Sequence, residues 1–201
     1  RKKEQAAGSN YEVAMVAIDP DNGYIKALVG GKDYDASQVN MATGTGGSGR
    51  QAGSSFKTFT LVAAIEQGID PNTMIDASAT AKLPGWEVAN INHTNYGTKS
   101  ISDAFAVSSN TAFARLILSI GPDKVVDVAK RMGITSPLTA TGSLTLGSES
   151  VTPLEMANAY ATIANGGTHY DPECVERIVD RNGSIVVDNS APKGTRAISA
   201  E

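Results

Sequence analysis

The order of elements in this 201-residue chain predicts an α+β or three-layer α/β/α fold. Strand signals around a tight turn open it, a long stretch of capped apolar helices fills the middle, and a second hairpin signal lies near the end. Arg1 to Asn10 is polar and reads as a linker. Glu12–Ile18 and Gly23–Val29 then read as two strands joined by the turn Asp19-Pro20-Asp21-Asn22. The aspartates of that turn begin the ligand series of a calcium loop, but the series breaks off at Gly23.

Gly44 to Gly53 is rich in glycine and serine and reads as a flexible entry to a helix. Its Gly44…Gly49-Arg50-Gln51 lacks the lysine and the Ser/Thr that a phosphate loop needs. The helix beginning at Ser54 is expected to end near Gly68. Trp86, in Leu83-Pro84-Gly85-Trp86-Glu87, is expected on a loop as a packed anchor. Ser100 and Asp103 form a capping pair for a helix through Val107, and a second helix follows from Thr111. Pro122 suits the first turn of a helix that Gly133 closes. Thr152-Pro153-Leu154-Glu155 is a capping box opening a helix to Asn165, and this cap accounts for Glu155. Val175–Asp180 and Ser184–Asp188 flank Arg181-Asn182-Gly183, a hairpin signal.

Chemistry concentrates at Gly53-Ser54-Ser55-Phe56-Lys57, followed at once by an apolar run. A serine at a helix start has a lysine one turn later on the same face, where hydroxyl and amine can share a proton. The first turn also offers unpaired N–H groups and the positive end of the helix dipole, which suit a developing oxyanion. Ser190-Ala191-Pro192-Lys193 repeats the S-x-x-K letters, but its proline opposes a helix and no apolar run follows. Ser108-Ser109-Asn110 is a second motif, S-x-N, at the junction of two helical segments, where a hydroxyl and a carboxamide can face a cleft together.

A net charge of −4 and a pI near 5.2 leave no basic footprint for nucleic acid. No apolar run is long enough to span a bilayer. A single cysteine, Cys174, excludes an internal disulfide and a cysteine metal cluster, and neither a metal nor a cofactor is expected. His93 and His169 are expected at the surface or in loops, not as ligands.

Arg50-Gln51-Ala52-Gly53-Ser54-Ser55-Phe56-Lys57, Asn95-Tyr96-Gly97 and Ser108-Ser109-Asn110, in that order, resemble the transpeptidase domain of class A high-molecular-weight penicillin-binding proteins. Val29–Tyr34 and Leu146–Gly167 are similar to the same family, so the resemblance runs over nearly the whole chain. It implies a five-stranded sheet with helices on both faces, the penicillin-binding or serine β-lactamase-like fold. It implies Ser54 as nucleophile, Lys57 as its base, Ser108 as proton relay and Asn110 as a substrate-binding residue. The implied partners are the D-Ala-D-Ala stem peptide of peptidoglycan and β-lactam antibiotics. The implied location is the extracytoplasmic face of the bacterial plasma membrane.

One family element is absent. No Lys-Ser/Thr-Gly occurs, and Lys193-Gly194-Thr195 has the letters in the wrong order. Residues 11–201 are therefore expected to be the N-terminal portion of a transpeptidase domain, with the third motif, the upstream glycosyltransferase domain and the membrane anchor outside this chain. A D,D-carboxypeptidase or β-lactamase-like hydrolase, a β-lactam sensor and an inactive fragment remain open as alternatives. Glu155…Asn158 does not have the spacing of a class A β-lactamase's deacylating glutamate.

Overall fold

The computed structural model describes residues 12–200, so the expected linker lies outside the described residues. The chain forms two compact units. The first takes the chain up to Arg50, Arg131–Ser136 and everything from Val151; the second takes Gln51–Lys130 and Pro137–Ser150.

In the first unit, β1 (Met15–Ile18) and β2 (Ile25–Val29) pair antiparallel in the register Met15↔Val29. The turn between them satisfies its own polar groups. Asp19 accepts from the Asp21 N–H at 3.1 Å and from Asn22 Nδ2 at 3.1 Å, and it pairs with Lys26 at 3.3 Å.

The main helix of this unit, α1 (Pro153–Ala164), begins with the expected capping box and a proline in its first turn. Glu155 does more than cap. One carboxylate oxygen accepts from the Thr135 N–H, the Thr135 hydroxyl and the Ser136 N–H at 2.9, 2.8 and 2.6 Å. The other accepts from the Ser136 hydroxyl and the Thr152 N–H at 2.8 and 2.7 Å. Four of these five donors tie the helix start to the segment around Thr135, and none of those four was visible in the capping pattern. Local spacing shows only the Thr152 half of the arrangement.

His169 is not in a loop. It lies in β3 (Thr168–His169), paired with β4 (Thr195–Arg196), with its side chain 17% exposed and 3.5 Å from Asp171. Arg177–Val179 and Ile185–Asp188 form the expected hairpin. Cys174 is exposed.

In the second unit a 3-10 turn, Gly53–Phe56, runs directly into α2 (Lys57–Glu66). Gly68 at φ +78° follows the helix end as expected. Thr80–Leu83 and Trp86–Ala89 form a hairpin in the register Leu83↔Trp86. Trp86 therefore opens a strand instead of sitting in a loop, and it packs against a cluster of Ala81, Val88 and Ala114. Three helices follow: α3 (Ile101–Ala106), α4 (Asn110–Ile120) and α5 (Pro122–Arg131). Phe56, Phe59, Phe113, Ile117 and Leu144 are buried, with the Phe56 and Phe59 rings 4.6 Å apart. This core anchors α2 and α4, the two helices whose first residues carry the site.

The strands of the described residues pair two by two and do not form a five-stranded sheet. Runs of two to five residues, each paired with a single partner strand, make narrow ladders, so the layered sheet is not assembled from these strands alone.

Burial alone would raise the Glu155 carboxyl's pKa, but its five donors outweigh that and hold it below the usual carboxylate range. A depressed native pKa adds stability above the ordinary value, and that stability is lost as pH falls through the native one. Glu155→Gln turns an acceptor into a donor facing donors. It should cost about 2–4 kcal/mol in chemical denaturation at neutral pH. The gap to wild type should narrow as the solution is acidified.

Candidate active site

The sequence places Ser54 and Lys57 three residues apart, and the backbone turns that spacing into contact. In a 3-10 turn there are three residues per turn, so positions i and i+3 eclipse. Ser54 lies in the 3-10 turn and Lys57 is the first residue of α2. Ser54 is exposed, whereas Lys57 is 1% exposed, so the hydroxyl faces outward above a buried amine. Expecting Ser54 on the α-helix itself was close; the tighter turn makes the overlap more direct.

Lys57 Nζ lies 2.8 Å from Ser54 Oγ, 2.8 Å from Asn110 Oδ1, 2.9 Å from the Ser108 carbonyl and 3.0 Å from Ser108 Oγ. All four residues singled out from the sequence thus meet at one nitrogen. An ammonium has three protons for these four oxygens. The Ser108 carbonyl and Asn110 Oδ1 can only accept, whereas both hydroxyls can also donate. A neutral amine fits this set well: two N–H bonds go to the two pure acceptors, and its lone pair faces the hydroxyls. Desolvation agrees with this, because burial lowers the Lys57 pKa from 10.5 to about 8. No charged group is among the atoms bonded to Nζ.

Ser108 owes its position to an unusual helix end. α3 stops at Ala106, the Ser108 N–H donates to Phe105 at 2.9 Å, and the Ser109 N–H donates to Ala104 at 2.8 Å. These two bonds are the Schellman pattern, whose turning residue adopts a left-handed conformation and is usually glycine. Here it is Ser108, at φ +55°. The strained conformation directs both its carbonyl and its hydroxyl at Lys57. One residue later, Ser109 caps α4 by accepting from the Ala112 N–H at 3.2 Å.

Asn110 opens α4. Its Oδ1 accepts from Lys57, and one Nδ2 proton goes to the Ala89 carbonyl at 3.1 Å. That leaves a single carboxamide proton for any other acceptor.

The turn carrying Ser54 is held from beneath. Gly147, at φ +68°, lies so close to the Gly53 backbone that a side chain there would collide with it. Gln51 Nε2 donates to the Ser148 carbonyl at 2.9 Å, and the buried hydroxyls of Thr60 and Thr145 bond at 2.8 Å.

The sequence reading missed these supports, and it missed Asn90, which is buried beside the S-x-N turn. A helix end without a glycine, at Val107-Ser108, was the one available signal for strain. Nothing local marked Thr60, Thr145 or Asn90. Among the described residues no group of three or more His, Cys, Asp or Glu is arranged to hold a metal ion.

Two measurements test this geometry. Ser108→Gly relieves the left-handed strain and Ser108→Ala keeps it, while both remove the hydroxyl. The glycine variant should be the more stable by about 1 kcal/mol in urea titration. For Lys57, the unfolded chain keeps a proton between pH 8 and 10.5 that the folded lysine has released. Stability should therefore rise across that window, by on the order of 3 kcal/mol. Lys57→Met should lack that part of the rise.

Residues 13–201 match the model of the penicillin binding protein transpeptidase domain. Over 190 residues the chain is 38% identical to penicillin-binding protein 2D of Bacillus subtilis, covering 91% of this chain and 27% of that protein. It is 34% identical to penicillin-binding protein 1A of Mycobacterium tuberculosis, covering 90% and 23%. It thus spans about a quarter of the length of these curated relatives. Among solved structures, PonA1 of Mycobacterium tuberculosis in complex with penicillin V superposes with a TM-score of 0.85 at 32% identity, over 99% of this chain and 56% of that one. The imipenem acyl-enzyme of penicillin-binding protein A from M. tuberculosis gives 0.84 at 26% identity, over 98% and 56%. The α+β fold expected from the sequence is that of these domains, and the chain belongs to the penicillin-binding protein transpeptidase family.

Proposed function

We propose that this chain carries the acylation half of a peptidoglycan D,D-transpeptidase, with Ser54 as the nucleophile. The observation that carries the reading is the buried Lys57 amine, 2.8 Å from the exposed Ser54 hydroxyl and 3.0 Å from the Ser108 hydroxyl. Ser54 Oγ attacks the carbonyl of the D-Ala-D-Ala bond while its proton passes to the neutral Lys57 Nζ. The tetrahedral oxyanion forms beside the Ser54 N–H near the start of the 3-10 turn, where the first backbone N–H groups of a helical segment lack internal partners. As the intermediate collapses, Ser108 hands a proton to the departing amine and Lys57 replenishes it. The terminal D-Ala leaves and the rest of the stem peptide remains as an ester on Ser54. Asn110 offers its remaining carboxamide proton to the donor peptide backbone. The amine of a second stem peptide then attacks the ester, forming the cross-link and freeing Ser54.

β-Lactams enter by the same step, since their strained amide presents the same kind of carbonyl. Structural neighbours that hold penicillin V or an imipenem acyl-enzyme support this reading. The Lys-Ser/Thr-Gly motif, absent from these residues, is assigned to sequence of the same protein outside them, together with the membrane anchor that would hold the enzyme at the extracytoplasmic face. Glu155 has five donors on its two oxygens, which leaves it poorly suited to activating a deacylating water. This argues against a class A β-lactamase-like hydrolase.

Intact-mass analysis after incubation with benzylpenicillin tests the assignment. The full-length protein should gain one persistent adduct at Ser54, and Ser54→Ala should gain none. The acylation rate should climb with pH to a plateau, with its midpoint near the pKa of about 8. Rapid loss of the adduct with release of penicilloate would favour the hydrolase instead, and an adduct on Ser54→Ala would overturn the assignment.

A further inference from the structure

Asn90 is 4% exposed and lies outside every motif that resembles the family, yet each polar atom of its side chain is engaged. Its Nδ2, with two protons, lies within hydrogen-bond distance of three carbonyls: Ala77 and Ser78 at 3.1 Å each, and Thr94 at 2.9 Å. Its Oδ1 accepts from the Ser109 hydroxyl at 3.0 Å and the Thr111 N–H at 3.1 Å, with Thr111 Oγ1 3.3 Å away. Three carbonyls at one end require the amide nitrogen, and the Thr111 N–H at the other requires the oxygen. Only one orientation of the carboxamide satisfies both.

The two ends hold different things. The nitrogen gathers the loops on either side of the Thr80–Leu83 and Trp86–Ala89 hairpin. The oxygen grips Ser109 and Thr111, the residues on each side of Asn110. Ser109 is also the cap of α4 and the neighbour of strained Ser108. The residue preceding Asn90 supplies the carbonyl that orients the Asn110 amide. The Thr111 hydroxyl adds a bond to the Ser78 carbonyl at 2.8 Å. The S-x-N turn is therefore fastened, one residue from each of its site-facing atoms, to a single buried carboxamide.

We infer that Asn90 is a positioning residue for acylation: it holds the Ser108-Ser109-Asn110 turn so that the Ser108 carbonyl and hydroxyl and Asn110 Oδ1 converge on the Lys57 amine. The inference rests on the reading of Ser54 as nucleophile. Asn90 does not touch the reacting atoms and acts only through its neighbours. Without it, a turn held at a left-handed serine has less to oppose its relaxation, and water gains access to the amine. Displacements on the scale of 1 Å at such a site cost on the order of 100-fold in rate.

The test uses the full-length protein and a fluorescent penicillin, with acylation rates measured between pH 6 and 10. Asn90→Ala should acylate about 10- to 100-fold more slowly. Its pH midpoint should move upward, toward that of an ordinary lysine, as Nζ regains water. Val128→Ala, a core truncation in α5, supplies the control for lost stability alone. Well below its melting temperature it should keep the wild-type rate and midpoint. Ser109→Ala cuts the same link from the other side and should shift rate and midpoint in the same direction, which keeps the test alive if Asn90→Ala does not fold. The double variant should lose less than the two singles combined, because both changes remove the bond they share. A folded Asn90→Ala with the wild-type midpoint and rate, or a Ser109→Ala that matches Val128→Ala, would overturn the inference. Absence of Ser54 labelling in the wild-type protein would instead sink the nucleophile assignment itself.

Discussion

Everything at the site depends on placing a lysine amine out of water without giving it an anion. A carboxylate partner would stabilise the ammonium and hold the proton in place. Lys57 is instead surrounded by neutral oxygens, so desolvation is left uncompensated and the pKa falls to about 8. In free energy this is on the order of 3 kcal/mol of differential solvation. The folded core has to supply it, which explains why Lys57 is buried at the start of α2 and not set in an open groove. Ser54, one 3-10 turn away, stays exposed. Burial of the amine and exposure of the hydroxyl follow from positions one turn apart on one short segment.

The second requirement is directional. Two pure acceptors must occupy the amine's N–H groups so that its lone pair meets a hydroxyl. One is the Ser108 carbonyl, and a carbonyl at the end of a helix ordinarily points along the axis. The Schellman turn redirects it, and the left-handed serine at φ +55° is what makes the turn possible. A glycine would make the same turn with less strain but would remove the hydroxyl. The site thus keeps a locally unfavourable residue because backbone and side chain are both used. Strain of this kind persists only where neighbours over-determine the geometry. Ser109 capping α4, the Ala104 and Phe105 carbonyls and the Asn90 carboxamide do that here.

This division also explains what could be read from the sequence. Ser54 and Lys57, the hairpin turn at Asp19, the Pro122 and Pro153 helix starts and the Thr152 cap are local patterns, each set by neighbours within about four residues. All were legible. The four proposed site residues were legible because their spacing matches a family pattern. The interactions that hold them were not. Asn90 reaches Ser109 across 19 positions and Thr60 reaches Thr145 across 85. Glu155 showed its cap but not its bonds to Thr135 and Ser136, 20 and 19 positions away. Trp86 and His169 were misplaced for a related reason: both lie on very short strands, and a two- to four-residue strand has too few alternations to register as a pattern.

Long-range polar contacts are also where substitution is most selective in its effect. An apolar truncation such as Val128→Ala removes attraction that the rest of the core shares, so its cost spreads through the fold. A buried carboxamide with two donors and three carbonyls around it has no such averaging. The Thr111 N–H left without it becomes an unsatisfied buried group, and only a shift of the segment that carries it restores a bond. For Asn90 the segments able to shift are the hairpin loops on one side and the S-x-N turn on the other. The loops have further attachments, including the Asn90 N–H to Ala79 and the Tyr96 N–H to Ala77. The turn has a strained residue ready to relax. Relaxation therefore falls on Ser108, and the loss of one buried amide is expressed at the lysine rather than in the fold.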